Sequence, residues 1–493
     1  MDEKEILKFW KENNIFEKTL AKNSPQGEFV FYDGPPFATG LPHYGSLLAS
    51  IAKDVFGRYK TMRGFHVRRR WGWDCHGLPI ENMIEKRLGL KSKKDIEAMG
   101  VEKFNETCRS AVLETADAWK DYIERIGRWV EFDNAYMTMD NSFMESVWWA
   151  LKQMWDKELI YEGRKVLMYC PRCETPLAKA EVAMDNSYKT ITEEVVTVKF
   201  KVKNPEKNNL PDNTCILAWT TTPWTLPSNV ALAVNKDIDY QLVKQGEETL
   251  ILAKVAASSA GEFKGKDLVG LEYEPLYEIP AVKNSGKKSR YVVSADFVTT
   301  EDGTGIVHIA PMHGEDDYNV GVRYDLPIIP LLDSNGHFNK DAPEFIQGFY
   351  LKKGEKYVKE DLEKRGLIFA KQAHTHSYPH CHRCETPLYY SALSSWFINI
   401  QKVKNRLVQL NEKINWQPEH LKHGRFLNIV KDAPDWNISR NRYWASPLPI
   451  WKCQKCKKTE MIGSVEELKK KTKKSGNKYF VMRHGESESN KKN

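Results

Sequence analysis

An eight-residue string, Cys-Xaa-Arg-Cys-Glu-Thr-Pro-Leu, occurs twice in this chain, at 170–177 and again at 381–388. No other feature constrains the fold as much. Cys170, Cys173, Cys381 and Cys384 are four thiols in two matching settings, enough for one closed tetrahedral zinc site. A redox C-x-x-C belongs at the start of a βαβ unit, a pattern these pairs do not follow. His380 and His382 are further possible ligands, but four cysteines suffice. If both knuckles hold one Zn2+, Cys173 and Cys381, 208 positions apart, must meet. The residues between them then form an insertion whose two stems close at the metal. A third pair, Cys453 and Cys456, supplies half of a second site. Cys108 and Cys215 read as ordinary small residues.

The texture on the two sides of Cys173 differs. Residues 1–27 read as helix and polar loop, and Glu28–Tyr32 as a short buried strand. Asp33-Gly34-Pro35-Pro36 ends that strand, and a helix runs from Leu47 to about Tyr59. Strand, Gly/Pro turn and helix open a doubly wound α/β unit. Residues 101–160 look largely helical. Beyond Cys173 the runs at 195–200 and 291–293 are β-rich, with frequent turns to about residue 375. The division we expect is therefore 1–169, the first half of a Rossmann-type domain; 170–387, a zinc-tethered, mainly β insertion; 388–460, the incomplete return; and 461–493, a Lys-rich linker with the start of something further. Hydrophobic content of 41% and charged content of 28% suit a globular chain. The net charge of +8 permits a polyanionic partner without requiring one. No apolar run approaches the ~20 residues that cross a bilayer, and the charged N-terminus is not a signal peptide. The expectation is a cytoplasmic monomer with no membrane partner.

Three segments carry chemistry. The first, between the expected strand and helix, contains Gly34, Pro35, Pro36, Thr39, Gly40, His43, Gly45 and Ser46. A turn there sets backbone N–H groups and a positive helix end beside an anion. His43 can donate to phosphate charge that develops in nucleotidyl transfer. Asp74, near a strand end, can pair with an ammonium group, or can be a plain cap. The second segment is Trp219-Thr220-Thr221-Thr222-Pro223-Trp224-Thr225-Leu226-Pro227-Ser228-Asn229. Alone, its three threonines would be an ordinary strand. The third runs from Gly303-Thr304-Gly305 through His308 to Asp316-Asp317.

Together these segments resemble the class I aminoacyl-tRNA synthetases. The stretch from Gly34 to Ser46 resembles their ATP-binding motif, usually His-x-Gly-His, with Ser46 in place of the second histidine. Gly72-Trp73-Asp74-Cys75-His76-Gly77-Leu78-Pro79 resembles the isoleucine branch. Asp435–Ala445 resembles Trp-x-Ile-Ser-Arg-Gln-Arg-x-Trp-Gly, departing at Asn441 and Ala445. The resemblance implies a Rossmann-type catalytic domain split by an editing domain, with tRNA(Ile), isoleucine and ATP (with Mg2+) as partners. It assigns His43 and Ser46 to catalysis and Pro36, Thr39, Gly40, His43, Gly45 and Ser46 to ATP. It assigns Gly34, Pro35 and Asp74 to the amino acid. For editing it implies Thr220, Thr221, Thr222, Asn229, His308 and Asp317, with Asp317 on the α-amino group. Editing has a physical motive: a pocket rejects a side chain one methylene smaller by only about 1–3 kcal/mol.

No Lys-Met-Ser-Lys-Ser-type loop appears, so this polypeptide alone is expected to be deficient in aminoacylation while hydrolysing Val-tRNA(Ile). A stand-alone deacylase of mischarged tRNA, or an inactive tRNA-binding fragment, is the alternative. Tyr479–Ser487, with Arg483 and His484, resembles the opening of a histidine phosphatase domain.

Overall fold

The protein is described from a computed structural model covering residues 2–182, 187–254 and 261–472. Arg483 and His484 lie outside the described residues. Two compact units divide the chain: Met1–Tyr161 with Phe397–Asn493, and Glu162–Trp396. The strand Ile160–Cys170 carries the chain out of the first unit and Tyr389–Ile398 brings it back.

In the first unit, strand Arg70–Trp73 pairs in parallel with Glu131–Met137. A third extended segment is tied to the first by parallel bridges at Glu28–His66 and Phe37–Asp74. Parallel neighbours need a crossover, and the helix Tyr44–Met62 provides it. The expected buried strand at Glu28–Tyr32 does not form. Its pairing is confined to the bridge at Glu28, and Val30 and Tyr32 are 71% and 92% exposed. A strand buries both faces only when pairs and layers cover it, and none of the described strands flanks these residues. Trp71, Trp73, Trp119 and Phe132 form the core, ring centroids 5.1–6.2 Å apart. Around them pack Ile80 and Ile84 of helix Leu78–Leu88, and Phe104 and Cys108 of helix Val101–Ala111.

The second unit is built on a nine-stranded mixed sheet. Its centre is Thr214–Thr220, which pairs antiparallel with Tyr188–Lys201 and parallel with Glu248–Ala253 and Val307. Val196, Val198, Phe200, Ile216 and Ala218, alternate positions on the two strands, belong to one buried cluster, so each strand turns one face to the core. Ile368–Pro379 lies antiparallel along Tyr188–Lys201. Cys215 is buried in this sheet.

The Lys-rich stretch also departs from expectation. Lys469–Lys471 close a helix, Val465–Lys471, rather than opening a linker. Ser464 caps it by accepting the Glu467 N–H at 3.0 Å, and Glu466–Lys470 and Glu467–Lys471 are paired one turn apart.

Candidate functional site

The turn from 34 to 46 is held by its own backbone. Asp74 N–H donates to the Pro36 carbonyl at 2.9 Å, and Ala38 N–H to the Asp74 carbonyl at 3.1 Å. Gly34, Pro35 and Asp74 are thus brought to one strand end. Trp119 Nε1 donates to the Gly40 carbonyl at 2.6 Å, and Thr115 Oγ1 to that of Ala38 at 3.0 Å. Lys53 Nζ donates to the Gly34 carbonyl at 3.0 Å and pairs with Asp33, which Arg128 also grips. His43 is the N-cap of the following helix: its Nδ1 accepts the Gly45 N–H at 3.1 Å, while Ser46 Oγ accepts the His43 N–H at 3.3 Å. Ser46 is therefore half of a reciprocal cap. Because Nδ1 accepts, the neutral ring carries its proton on Nε2, the atom left to donate to an anion. A Cβ at Gly45 would sit 2.8 Å from His43 Cε1, so the cap requires glycine there. Pro36 and Thr39 are half-buried in the same turn.

The threonine segment of the second unit begins where strand Thr214–Thr220 ends. Thr222 N–H donates to Thr220 Oγ1 at 3.1 Å, and a 3-10 turn, Pro223–Ser228, follows. Thr225 Oγ1 donates to the Thr222 carbonyl at 2.8 Å and lies 2.8 Å from His308 Nε2. With that hydroxyl proton engaged, His308 Nε2–H donates to Thr225. Its Nδ1 is then a bare acceptor, buried with no protein partner. Burial, with His313 nearby, pushes the His308 pKa down to about 4, so the ring is neutral at physiological pH. Asp317, in the first turn of helix Glu315–Arg323, accepts the Ala310 N–H at 2.9 Å through Oδ2. Burial raises its carboxyl to about 7. Thr220, Thr222, Thr225 and His308 are joined by contacts of 2.8–3.4 Å, and Asp317 is bonded at Ala310, directly after the strand that carries His308. Thr221 is half-buried, and among the described residues no side-chain hydrogen bond ties it to the others. Asn229 is fully buried and committed to the scaffold: its amide donates to the Ala231 carbonyl at 2.9 Å and accepts from Tyr273 at 2.8 Å.

The Gly-Thr-Gly motif stitches strands together. Thr304 Oγ1 donates to the Leu217 carbonyl at 2.6 Å, and Ala253 N–H to the Thr304 carbonyl at 2.8 Å. Gly303 and Gly305 flank it at φ +76° and +67°, where a side chain is strained.

Cys170, Cys173, Cys381 and Cys384 converge, their sulfurs all within 4.8 Å of one another. Sulfurs bound to one zinc at about 2.3 Å stand roughly 3.8 Å apart, and two of the pairs here are 3.5 Å apart. The repeat in sequence is a repeat in shape, since Glu174 and Glu385 both turn at positive φ, 49° and 59°. Thr386 Oγ1 lies 3.3 Å from Cys384 Sγ, while the matching Thr175 hydroxyl is buried without a protein partner. These features fit a structural zinc. His380 Nδ1 faces the Tyr378 carbonyl at 3.0 Å and His382 Nε2 accepts from Arg383 at 2.7 Å, so both have other partners. Cys453 and Cys456 form a knuckle of the same kind, Lys457 at φ 58°, but both are exposed and no third ligand joins them among the described residues.

Three participants were not read from the sequence. Thr225 sits among apolar neighbours and is revealed only by its contact with His308. Glu81 and Glu85 are buried around Arg442, and Glu81 also accepts the N–H groups of Tyr443 and Trp444 at 2.9 and 2.7 Å. Trp444 Nε1 in turn donates to the Cys75 carbonyl at 2.6 Å, beside Asp74. In helix Leu78–Leu88 the two glutamates resemble ordinary surface charges one turn apart.

The first unit is a parallel α/β unit with a Gly/Pro turn leading into a capped helix, and the second is a mainly β insertion with its own cluster of buried polar side chains. Comparison with known proteins gives the family. Residues 5–491 match the family described as tRNA synthetases class I (I, L, M and V), and the chain belongs to that family. The match runs through Arg483 and His484. The chain is 47% identical to the isoleucine–tRNA ligase of Treponema denticola over 504 residues, covering 95% of this chain and 46% of that protein. It is 48% identical to that of Clostridium novyi and 46% identical to that of Thermus thermophilus, over 45% and 44% of their lengths. The chain thus spans just under half the length of the curated relatives it matches.

Proposed function

We propose that this chain supplies the amino-acid-activating front and the editing unit of an ATP-dependent isoleucine–tRNA ligase. The single observation that carries the reading is the buried Thr225–His308 pair, with the partly buried Asp317 bonded to Ala310 at the end of the same strand, in the inserted unit of a class I synthetase. Its chemistry suits hydrolysis of an aminoacyl ester. Asp317, once ionised, pairs with the free α-ammonium group that marks an aminoacyl end. The Thr220 and Thr222 hydroxyls lie within reach of one another to orient the ester. Neutral His308 offers its bare Nδ1 to a hydroxyl or water proton. In the first unit, Gly34, Pro35 and Asp74 would receive isoleucine. The turn through Pro36, Thr39, Gly40, His43, Gly45 and Ser46 would receive ATP phosphates, with Nε2–H of His43 donating. Zn2+ held by Cys170, Cys173, Cys381 and Cys384 would tie the two stems of the insertion, a structural part with no step of its own.

The test is deacylation of Val-tRNA(Ile) and Ile-tRNA(Ile) by the purified chain. The wild type should hydrolyse the valyl ester faster. Asp317→Asn should lower kcat/KM by roughly 10- to 100-fold, the worth of one charge-assisted hydrogen bond of about 1.5–3 kcal/mol. Equal hydrolysis by wild type and variant would remove the editing assignment.

A further inference from the structure

From the two-helix segment 400–432 of the first unit, we infer an RNA-docking face for the phosphate backbone of the tRNA substrate. The inference rests on the proposed function for the identity of the RNA, and on the following features for the surface. Seven Lys and Arg against three acidic residues give this 33-residue segment +4 of the chain's +8. The helix Ile400–Asn411 leads through a turn to a π-helical turn, Lys422–Phe426, and then the helix Leu427–Asp432. Such turns recur at functional sites. The hairpin is braced from inside. Asn411, buried, donates to the Lys422 carbonyl at 3.0 Å and accepts from Trp416 Nε1 at 2.8 Å. Trp416 packs on Phe426 with centroids 4.7 Å apart. Lys422 Nζ is drawn back to the Glu412 carbonyl at 2.7 Å, and Lys404 Nζ to that of Lys431 at 2.9 Å.

What faces outward is different. Arg406, Lys413, Arg425 and Lys431 are exposed, and no ion pair among the described residues engages them. Arg406, Leu407 and Leu410 follow helical spacing on one side of the helix, and Lys413 and Ile414 follow in the turn after its C-cap, so cations and aliphatics are interleaved. Leu407 and Leu410 are 38% exposed, Ile414 46% and Ile429 57%. A face that only needed solvent would pair its cations with the acids a turn away, as the helix Val465–Lys471 does. Unpaired cations on a braced hairpin, set among apolar carbon that covers sugar edges, suit a polyanion with a regular charge spacing.

Fluorescently labelled tRNA transcript, titrated by anisotropy with the full chain at several salt concentrations, tests this. The variant Arg406→Gln/Lys413→Gln/Arg425→Gln/Lys431→Gln should bind at least tenfold more weakly. Its slope of log K against log salt should be shallower by about 3, one ion release per lost phosphate contact. A control removing four exposed lysines elsewhere, Lys207, Lys266, Lys283 and Lys340, should change the slope less. If the first variant binds with wild-type affinity and slope while the chain still deacylates Val-tRNA(Ile), the docking face is wrong and the editing reading stands. If the wild type neither binds nor deacylates tRNA, both fail. Self-association abolished by Leu407→Gln/Leu410→Gln/Ile414→Gln, with RNA binding intact in the cation variant, makes the face a protein interface and overturns the proposal.

Discussion

Asp317 and His308 show how environment, not residue type, assigns chemistry. His308 is buried and Asp317 partly so, and the loss of water disfavours charge on each: the aspartate is pushed up to about 7 and the histidine down to about 4. An ammonium group is held only by the ionised carboxylate. The kcat/KM for deacylation should therefore rise with pH through about 7 and fall again above about 8 as the substrate's α-ammonium group loses its proton, with no inflection from His308 between pH 5 and 9. Asp317→Asn should flatten that rise, which a pH profile on Val-tRNA(Ile) measures directly. The motif positions of Thr220, His308 and Asp317 were legible in the sequence because they lie in two short strings. Thr225 was not, because its value comes from a 2.8 Å contact across 83 residues. Asn229 was legible as a motif member but not in its role, since only packing shows its amide bonded to Ala231 and Tyr273.

The elements that matter are the short ones. Each C-x-x-C knuckle needs a residue at positive φ after its second cysteine, and Glu174, Glu385 and Lys457 all provide it. Local backbone shape is thus shared by three loops, yet only two of them meet. Zinc held by the meeting pair would be worth many kcal/mol, since bound metal counts as folding free energy. Purified chain should contain about one zinc per molecule by elemental analysis. Cys384→Ser or a strong chelator should remove it and lower the thermal midpoint of the insertion, whereas Cys453→Ser should leave both unchanged. The duplicated octapeptide made the cluster predictable. The misread strand at Glu28–Tyr32 shows the opposite case: its apolar composition is strand-like, but a strand needs neighbours, and those are long-range. Lys469–Lys471 were misread for a local reason, the glutamates one turn before them that stabilise a helix.

At the scale of the molecule, the problem is how a chain leaves one unit for more than two hundred residues and returns in register. Arg442 answers it within the first unit. Its guanidinium is enclosed by Glu81 and Glu85, 361 and 357 positions earlier, with all three side chains almost fully buried. Burial pulls the guanidinium pKa down, but the two carboxylates outweigh it and hold the group above its ordinary value. Arg442→Met leaves two buried, uncompensated carboxylates and should destabilise the first unit by about 3–5 kcal/mol. Urea denaturation followed by tryptophan fluorescence reads this, since Trp71, Trp73 and Trp119 lie in the same unit. Adding Glu81→Gln and Glu85→Met should restore much of the loss, because the cost lies in the unpaired charge.

By itself the sequence determined the family and the four cysteines that meet, because those depend on strings whose residues act on their neighbours. Tertiary structure alone decided that Thr225 serves His308, that Arg442 is caged by Glu81 and Glu85, and that Arg406 and its fellow cations stand unpaired on an open face. Each of these is a contact between residues far apart in the chain, or the lack of one, and its energy comes from desolvation and pairing that no local pattern encodes.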